Sequence, residues 1–373
     1  HMDIYISQYE PSFDNSEIKA LSDYMHSGGW ITEFKETKAF EEMIAAYTGS
    51  KHAIAVNNGT IAITLAAMAC GLAAGDKVLV PNYTMIATPN SLRLFGAIPV
   101  FVDVEPDTLC MDLDKAREKL DSEIKGIIFV PSNGRYPEKG IEEFRNFADK
   151  NSLIFIEDAA QGLGSYYPNG KHLGTIGSAG TLSFSSPKII TTGQGGMILT
   201  NDESINDKVR KLKDFGRSHG GSDIHESLGY NFKFTDIQAV IGIAQMGKLQ
   251  SRIERKKKIF QIYLNELESL ETVYLFHHDV RITTPWFIDA KVHNRDGLKS
   301  YLSNKHIGTR NMYPPINAQE AYKTPGHYPV SEEIGLKGLW LPSHPQLTDE
   351  NIIFICKQIM SYYEKEKRSS NEQ

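Results

Sequence analysis

The chain has 373 residues, of which 40% are hydrophobic and 23% charged, so it can build about two globular domains and is not a disordered protein. Lys and Arg number 40 against 46 Asp and Glu, and the resulting net charge of −6 disfavours binding along a nucleic-acid backbone. The 3 cysteines are widely separated, which excludes a disulfide scaffold or a thiolate metal cluster.

Apolar, β-branched runs alternate with stretches of helical periodicity through the first half of the chain. This alternation predicts βαβ units and a mostly parallel seven-stranded sheet that is covered on both faces. Ligands of such sheets bind at the carboxyl ends of the strands, so residues that follow a strand are candidates for a site. The predicted strands are 52–57, 77–81, 98–104, 124–132, 153–158, 180–185 and 196–200, with helices at 61–71, 87–95, 113–120 and 141–151.

The alternation stops after the seventh predicted strand. Apolar spacing from 234 to about 270 predicts one long helix, with Thr235 and Asp236 as capping residues. Further strand and helix patterns predict a smaller α+β domain, so we expect a large α/β domain over 1–234 and a linking helix with a small domain over 235–373. We expect the polar tail, 365–373, to be disordered. The later elements are strands at 273–275 and 286–290 and helices near 296–305 and 349–363.

Asn58-Gly59-Thr60 lies where the first predicted strand turns into a helix. Gly59 permits close backbone approach to a ligand, and a helix that begins near Thr60 offers unpaired N–H groups to a phosphate. A glycine turn with a Thr cap is an equally common explanation when such a motif stands alone. The chain has no Walker motif and no strand-linked GxGxxG, which disfavours nucleotide-triphosphatases and dinucleotide enzymes.

A second group of polar residues follows the fifth and sixth predicted strands. Glu157-Asp158-Ala159-Ala160-Gln161 ends the fifth, and Ser183-Phe184-Ser185-Ser186-Pro187-Lys188 follows the sixth, with Gly193-Gln194-Gly195-Gly196 shortly after. A lone acid at a strand end is usually a cap or an ion-pair partner, and a lone lysine usually lies on the surface. Their occurrence together with the Asn58-Gly59-Thr60 turn makes these ordinary explanations much weaker.

These motifs, in this order, together with Gly229-Tyr230-Asn231-Phe232, resemble those of the DegT/DnrJ/StrS sugar aminotransferases, which are fold-type I pyridoxal-phosphate (PLP) enzymes. The resemblance covers nearly the whole chain, from Trp30-Ile31-Thr32 to the segment 339–345. It implies the fold-type I architecture and PLP as the cofactor.

The resemblance also implies roles for the two catalytic residues. Lys188 would be the Schiff-base lysine, whose amine must be neutral to react and would then move a proton as general base and acid. Asp158 would pair with the pyridinium nitrogen and keep the ring protonated. A related class that carries histidine at the lysine position dehydrates its substrate, and Lys188 argues against that reaction.

The remaining cofactor residues are also implied by the resemblance. The Gly59 and Thr60 amides and the Ser183 hydroxyl would hold the phosphate, and Gln161 would lie near the ring or its phenolic oxygen. Asn231 would reach the phosphate in the neighbouring subunit, so we expect a homodimer with shared active sites.

Relatives usually place an aromatic residue against the cofactor ring after the second strand. The matching position here is Met85, whose thioether could cover a ring face, while Tyr83 is a second candidate. Both could equally be ordinary loop or core residues.

Larger departures lie in the loops that bind the sugar in relatives. Pro131-Ser132-Asn133-Gly134-Arg135-Tyr136-Pro137 replaces a His-Leu-Tyr-Gly motif, and Tyr313-Pro314-Pro315-Ile316-Asn317 lacks the family's histidine. Arg135, Arg310 and Tyr313 are our candidates for substrate binding, since an arginine can receive a phosphate or carboxylate bidentately. A surface role is the commoner case for an arginine.

Three functions remain open. The first is transfer of an amino group from L-glutamate to a keto sugar, foremost a nucleotide-linked 4-keto-6-deoxyhexose for surface-polysaccharide synthesis. The second is the same chemistry on a small phosphorylated ketone or an unactivated sugar, which the altered loops suggest. The third is a non-catalytic PLP-fold regulatory protein. The 12 histidines show no metal-binding spacing, and no G-x-S-x-G elbow is present.

No run of residues reaches the roughly 18 apolar positions that span a bilayer. Residues 1–5 show no basic region followed by an apolar stretch, which predicts no secretory signal, and we interpret His1 as a remnant of cloning. We therefore expect a cytoplasmic protein without a membrane partner.

Overall fold

A computed structural model of the protein describes residues 4–372. Residues 1–3 and 373 lie outside the described part. These residues include His1, part of the 1–5 segment on which the absence of a secretory signal was predicted, and the last residue of the predicted tail. No helix within residues 4–372 combines the length and apolar character needed to cross a membrane.

The seven predicted strands form one sheet, and their bounds differ from the prediction by a few residues. Strand β7 runs antiparallel to its two neighbours, and the remaining pairs are parallel. The apolar strands are buried on both faces, which is why they appear in the sequence as continuous hydrophobic runs. The order across the sheet is β1-β7-β6-β5-β4-β2-β3, with β1 (His52–Val56), β2 (Lys77–Pro81), β3 (Ile98–Val102), β4 (Ile124–Phe129), β5 (Ile154–Asp158), β6 (Ala179–Ser183) and β7 (Gly196–Thr200).

Helices cover both faces of this sheet. The four helices predicted between strands are confirmed, whereas α1, α2, α7 and α11 were not predicted. The helices are α1 (Asn15–His26), α2 (Lys35–Thr48), α3 (Gly59–Ala69), α4 (Ala87–Arg93), α5 (Leu113–Lys119), α6 (Ile141–Lys150), α7 (Glu203–Lys213), α8 (Asp236–Met246), α9 (Leu249–Leu267), α10 (Arg295–Asn304), α11 (Pro329–Lys337) and α12 (Asp349–Asn371).

The single long helix predicted from residue 234 is wrong, because α8 and α9 are separate helices. Gly247 ends α8 and Lys248 begins α9 as their cap residues. Helix α8 packs on α1 and α2, with Gly242 directly against the ring of Phe40, whereas α9 packs on α12. The apolar periodicity continues across the break, so it did not reveal that the two halves face different partners.

The second sheet has the order β10-β11-β9-β8 and is antiparallel throughout. Ile6 pairs with Ile307 and is buried in the core of this layer, so this part of the N-terminal segment packs with the second sheet, although the prediction assigned it to the large domain. The boundary at 234/235 otherwise stays a prediction. The predicted disorder of the tail is wrong up to Asn371, where α12 ends. The strands are β8 (Val273–Leu275), β9 (Ile288–Val292), β10 (Arg310–Asn311) and β11 (Gly338–Leu341).

Asp236 ties α8 to the start of α2. Phe34 precedes α2 and offers no side-chain cap; instead the Asp236 carboxylate accepts hydrogen bonds from Phe34 N at 2.8 Å, Thr37 N at 2.9 Å and Thr37 Oγ1 at 2.8 Å. Thr235 caps α8 as predicted, by accepting from Gln238 N. The second predicted capping residue therefore caps a helix about 200 positions earlier in the chain.

We expect Asp236→Ala to lower the free energy of unfolding by about 2–3 kcal/mol, because several buried N–H and O–H donors lose their acceptor at once. Urea denaturation measures this change. Asp23→Ala is the matched control, since Asp23 makes an exposed ion pair with Lys19 and should leave stability nearly unchanged. Equal effects of the two substitutions would contradict the capping role.

Candidate active site

A cavity of about 580 Å³ opens at the carboxyl ends of β1, β5 and β6. Its walls come from the residues that follow these strands and from the second sheet, where Arg310 begins β10. It brings together most of the residues that the sequence indicated as a site. These are Gly59, Thr60, Met85, Asp158, Gln161, Ser183, Lys188, Arg310 and Tyr313.

One wall of the cavity is the N-terminus of α3. Asn58 is its cap, with the side chain accepting from Ile61 N at 2.9 Å and the carbonyl accepting from Ala62 N. The alternative of a Thr60 cap is therefore wrong. Within the described residues the Gly59 and Thr60 N–H groups have no acceptor. Both groups therefore offer a site for an anion at the positive end of the helix.

Gly59 is required here by close contact rather than by its backbone angles. A Cβ atom at this position would lie 3.0 Å from the Ser183 Cβ and 3.2 Å from its Oγ. The first turn of α3 therefore lies against the end of β6 with no side chain between them. This contact places the Ser183 hydroxyl beside the two free N–H groups, where all three can bind the same anion.

Asp158 ends β5 and is almost fully buried. Its carboxylate accepts a hydrogen bond from Thr88 Oγ1 at 2.6 Å and one from Ala160 N at 3.2 Å. Burial raises the pKa of this carboxyl, while the two hydrogen bonds and the charge of Lys188 act in the opposite direction. A buried carboxylate that faces a cavity without a hydrogen-bonded cation among residues 4–372 is suited to a positively charged ligand group.

Lys188 lies in the loop after β6 and is partly buried. Burial lowers the pKa of its amine to about 8, Arg310 acts in the same direction, and Asp158 opposes them. A substantial fraction of the amine is therefore neutral near physiological pH, as a nucleophilic lysine requires.

Residues 11–360 match the profile of the DegT/DnrJ/EryC1/StrS aminotransferase family. The chain belongs to this family. It is 34% identical to the GDP-perosamine synthase of Escherichia coli O157:H7 over 96% of this chain and 99% of that protein.

Solved structures agree with this assignment. A DegT/DnrJ/EryC1/StrS aminotransferase from Brucella abortus superposes with a TM-score of 0.87 at 30% identity, covering 93% of this chain and 95% of that one. The S. venezuelae protein DesV, solved with a ketimine intermediate, gives 0.87 at 28% identity over 93% and 94% of the two chains. This family member is a PLP-dependent aminotransferase with the predicted α/β fold.

The cavity of this aminotransferase fits PLP on three independent observations. The unpaired N–H groups of Gly59 and Thr60 suit its phosphate, and the buried Asp158 carboxylate suits a protonated ring nitrogen. The amine of Lys188, with its lowered pKa, suits its aldehyde. All three groups line the same cavity.

Arg135 does not lie on the cavity, which corrects its assignment to substrate binding. It is buried and pairs with Asp289, with Nη1 to Oδ1 at 2.9 Å, and its Nε donates to Thr108 O at 2.8 Å. The guanidinium therefore makes its hydrogen bonds and its ion pair with groups inside the protein. Arg310, by contrast, is exposed and lines the cavity.

Asn133 and Asn317, which lie in the two altered loops, do not line the cavity, whereas Tyr313 of the second loop does. Asn133 is buried and exchanges two hydrogen bonds of 2.8 Å with the backbone of Phe287. Asn317 is buried and pairs with Asn82 through two further hydrogen bonds. These departures from the family pattern hold loops together, and they give no structural reason for a smaller acceptor.

Of the two candidates for covering the cofactor ring, Met85 faces the cavity and Tyr83 does not. Met85 is 45% exposed and lines the cavity. Tyr83 is buried against Tyr313, with ring centroids 5.5 Å apart. Gln161 also lines the cavity, and its Oε1 accepts a hydrogen bond from Asn133 N at 2.6 Å.

Two residues of the site were not found from the sequence. Thr88, which donates to Asp158, lies inside the short helix α4, and no local pattern marks it. Trp286 lines the cavity beside Lys188, but its apolar surroundings predicted only a strand. Asn231 lies outside the cavity of its own chain, exposed between α7 and α8, so its role stays a prediction.

The lowered pKa predicts how Lys188 reacts with a neutral acylating reagent after the cofactor is removed. Because the neutral amine is the reactive form, labelling should rise through pH 8 and level off at about one unit above the pKa. Mass spectrometry of the peptide that contains Lys188 measures the rate.

Two substitutions should move this curve in opposite directions. Asp158→Asn removes a charge that favours the ammonium, so the midpoint should fall, whereas Arg310→Gln removes a repelling cation, so the midpoint should rise. Shifts in the same direction would contradict this account of the pKa.

Proposed function

We propose that this aminotransferase moves an amino group from L-glutamate to a nucleotide-linked 4-keto-6-deoxyhexose in surface-polysaccharide biosynthesis. The observation that carries the proposal is Arg310, an exposed guanidinium on the wall of the Lys188 cavity. It has no carboxylate partner among residues 4–372 and lies over the ring of Trp340. The likeness to GDP-perosamine synthases supports a nucleotide-linked amino sugar as the product class.

The phosphate of PLP would be held by the Gly59 and Thr60 N–H groups and the Ser183 hydroxyl. Asp158 would hold the ring nitrogen, with Thr88 fixing the orientation of its carboxylate. Met85 would cover one face of the ring. These contacts use groups that are otherwise unpaired or exposed to the cavity.

Bound PLP supplies an electron sink for the negative charge that develops at the substrate carbon. Lys188 would move the proton: its neutral amine would remove the proton from the substrate carbon that bears the amino group and return it to C4′ of the cofactor, on the other side of the nitrogen. The buried Asp158 carboxylate keeps a proton on the ring nitrogen. The lowered pKa of Lys188 lets the same amine serve as base and then as acid.

Arg310 would serve both half-reactions. L-Glutamate brings carboxylates and the sugar nucleotide brings phosphates, and a guanidinium binds either bidentately. Because donor and acceptor use the cavity one after the other, one cation can bind each in turn. This arrangement requires ping-pong kinetics.

We propose further that the active enzyme is a homodimer in which Asn231 completes the partner's phosphate site. The side chain is exposed and outside its own cavity. Beside it, exposed apolar residues of the 227–232 loop and of the end of α4 form a groove of about 760 Å³ with α3 and α7. Leu94 and Leu228 are 62% and 71% exposed there, and covering such a surface favours association.

We expect L-glutamate to discharge the yellow colour of the wild-type holoenzyme, and Lys188→Ala to lower the rate of this change by at least about a thousandfold. Stopped-flow absorbance measures it, with Lys171→Ala, an exposed lysine, as the control. A keto-sugar nucleotide should then restore the colour, whereas a triose phosphate should not. Restoration by the triose phosphate alone would overturn the proposed acceptor.

Mixed dimers test the shared site. Lys188→Ala and Asn231→Ala subunits should each be inactive alone, and their mixture should regain about a quarter of the wild-type rate, because one site of each mixed dimer is intact. Sedimentation checks the dimer. Activity of a monomer, or no recovery in the mixture, would contradict the shared site.

A further inference from the structure

Trp286 contacts both the side chain and the backbone of the Lys188 segment. It lies between β8 and β9, is 6% exposed, and lines the cavity. The Lys188 Nζ lies over its ring, 4.2 Å from the centroid. The Trp286 Nε1 donates a hydrogen bond of 2.9 Å to Pro187 O. One residue of the second domain thus holds two parts of a loop of the first.

The Trp286 ring is itself held firmly. Its carbonyl accepts a hydrogen bond of 2.7 Å from the buried Lys256 Nζ, and its amide donates to Asn133 O at 3.3 Å. The indole stacks on Phe287, with centroids 3.7 Å apart and planes 18° apart. A ring that is packed in this way can act as a fixed surface for a flexible neighbour.

We propose that Trp286 is a positioning residue for Lys188. Its ring face holds the ammonium whenever the lysine is not covalently attached, and its indole N–H fixes the backbone that carries the lysine. A lysine side chain has several rotatable bonds, and ordering it costs rotamer entropy. Cation–π attraction to the ring offsets this cost, so the amine stays within reach for proton transfer and reattachment. This inference rests on the proposed role of Lys188.

The charges around the amine are few within the described part of the chain. Asp158 and Arg310 act on its charge, Tyr313 lines the same cavity, and Lys256 donates to the Trp286 carbonyl. Asp158 and the ring face favour the ammonium, while Arg310 opposes it. A test must therefore change the ring without changing these neighbours or the access of water.

Fluorination of the indole meets that requirement, because it weakens the negative ring face but keeps shape and N–H group. Site-specific incorporation of increasingly fluorinated tryptophans at position 286 should lower the pH midpoint of Lys188 acylation stepwise, by about half a unit in total. The measurement uses the full chain with PLP removed. The same analogues at Trp30, an exposed residue that packs on Phe34 and does not line the cavity, should leave the midpoint unchanged.

The midpoint needs neither donor nor acceptor, so it can fail independently of the proposed substrates. An unchanged midpoint at every level of fluorination would overturn the cation–π contact. So would an equal change produced by the analogues at Trp30.

Trp286→Phe tests the second contact, since it keeps a ring but removes the N–H donor. Added PLP should restore the visible absorption of this variant about three to ten times more slowly than that of the wild type, at a pH where the amine is neutral. Phe260→Leu changes a buried aromatic residue of α9 away from the cavity and should restore it at the wild-type rate. Equal slowing in both variants would overturn the positioning role.

Discussion

The site depends on a close backbone contact between the start of α3 and the ends of β6 and β7. At Gly59 a side chain would press on Ser183, and at Gly196 it would collide with the carbonyl of Asn58. Both glycines therefore let the helix terminus rest on the sheet itself. Only in this position do two free N–H groups, the Ser183 hydroxyl and the Asp158 carboxylate lie around one cavity.

This contact also explains how an acidic protein binds anions. The net charge is −6, yet the cavity collects the positive end of α3, Lys188 and Arg310. Asp158 is the negative charge of this cavity. Its position is fixed because it ends β5, the strand next to β6. The cavity thus offers separate positions for a phosphate and for a cationic nitrogen, which is the charge pattern of PLP. Net charge describes the surface, whereas local geometry determines what binds.

How much of the structure the sequence could predict depends on how far apart along the chain the interacting residues lie. Strands such as β5 are predicted well, because burial on both faces leaves a continuous apolar run, and residues after them reach the site by topology alone. Arg135 was assigned wrongly because its partner, Asp289, lies 154 positions away and no local pattern connects them. The sequence did not predict the capping of α2 by Asp236 or the break between α8 and α9 at Gly247, and the reason is the same. Residues whose role is set by a distant partner need the three-dimensional structure.

The two sheets contribute different groups to the cavity. The first sheet carries the groups suited to the cofactor: Gly59, Ser183, Asp158 and Lys188. The second sheet brings Arg310, which begins β10, and the connection between β8 and β9 brings Trp286, and both line the same cavity. Lys188 therefore lies between groups of the first sheet that suit the cofactor and residues of the second-sheet region that contact or neighbour the lysine. The contacts of Trp286 and Arg310 with the Lys188 loop are thus part of the cavity, because without them Lys188 would have neither its ring contact nor Arg310 as a neighbour.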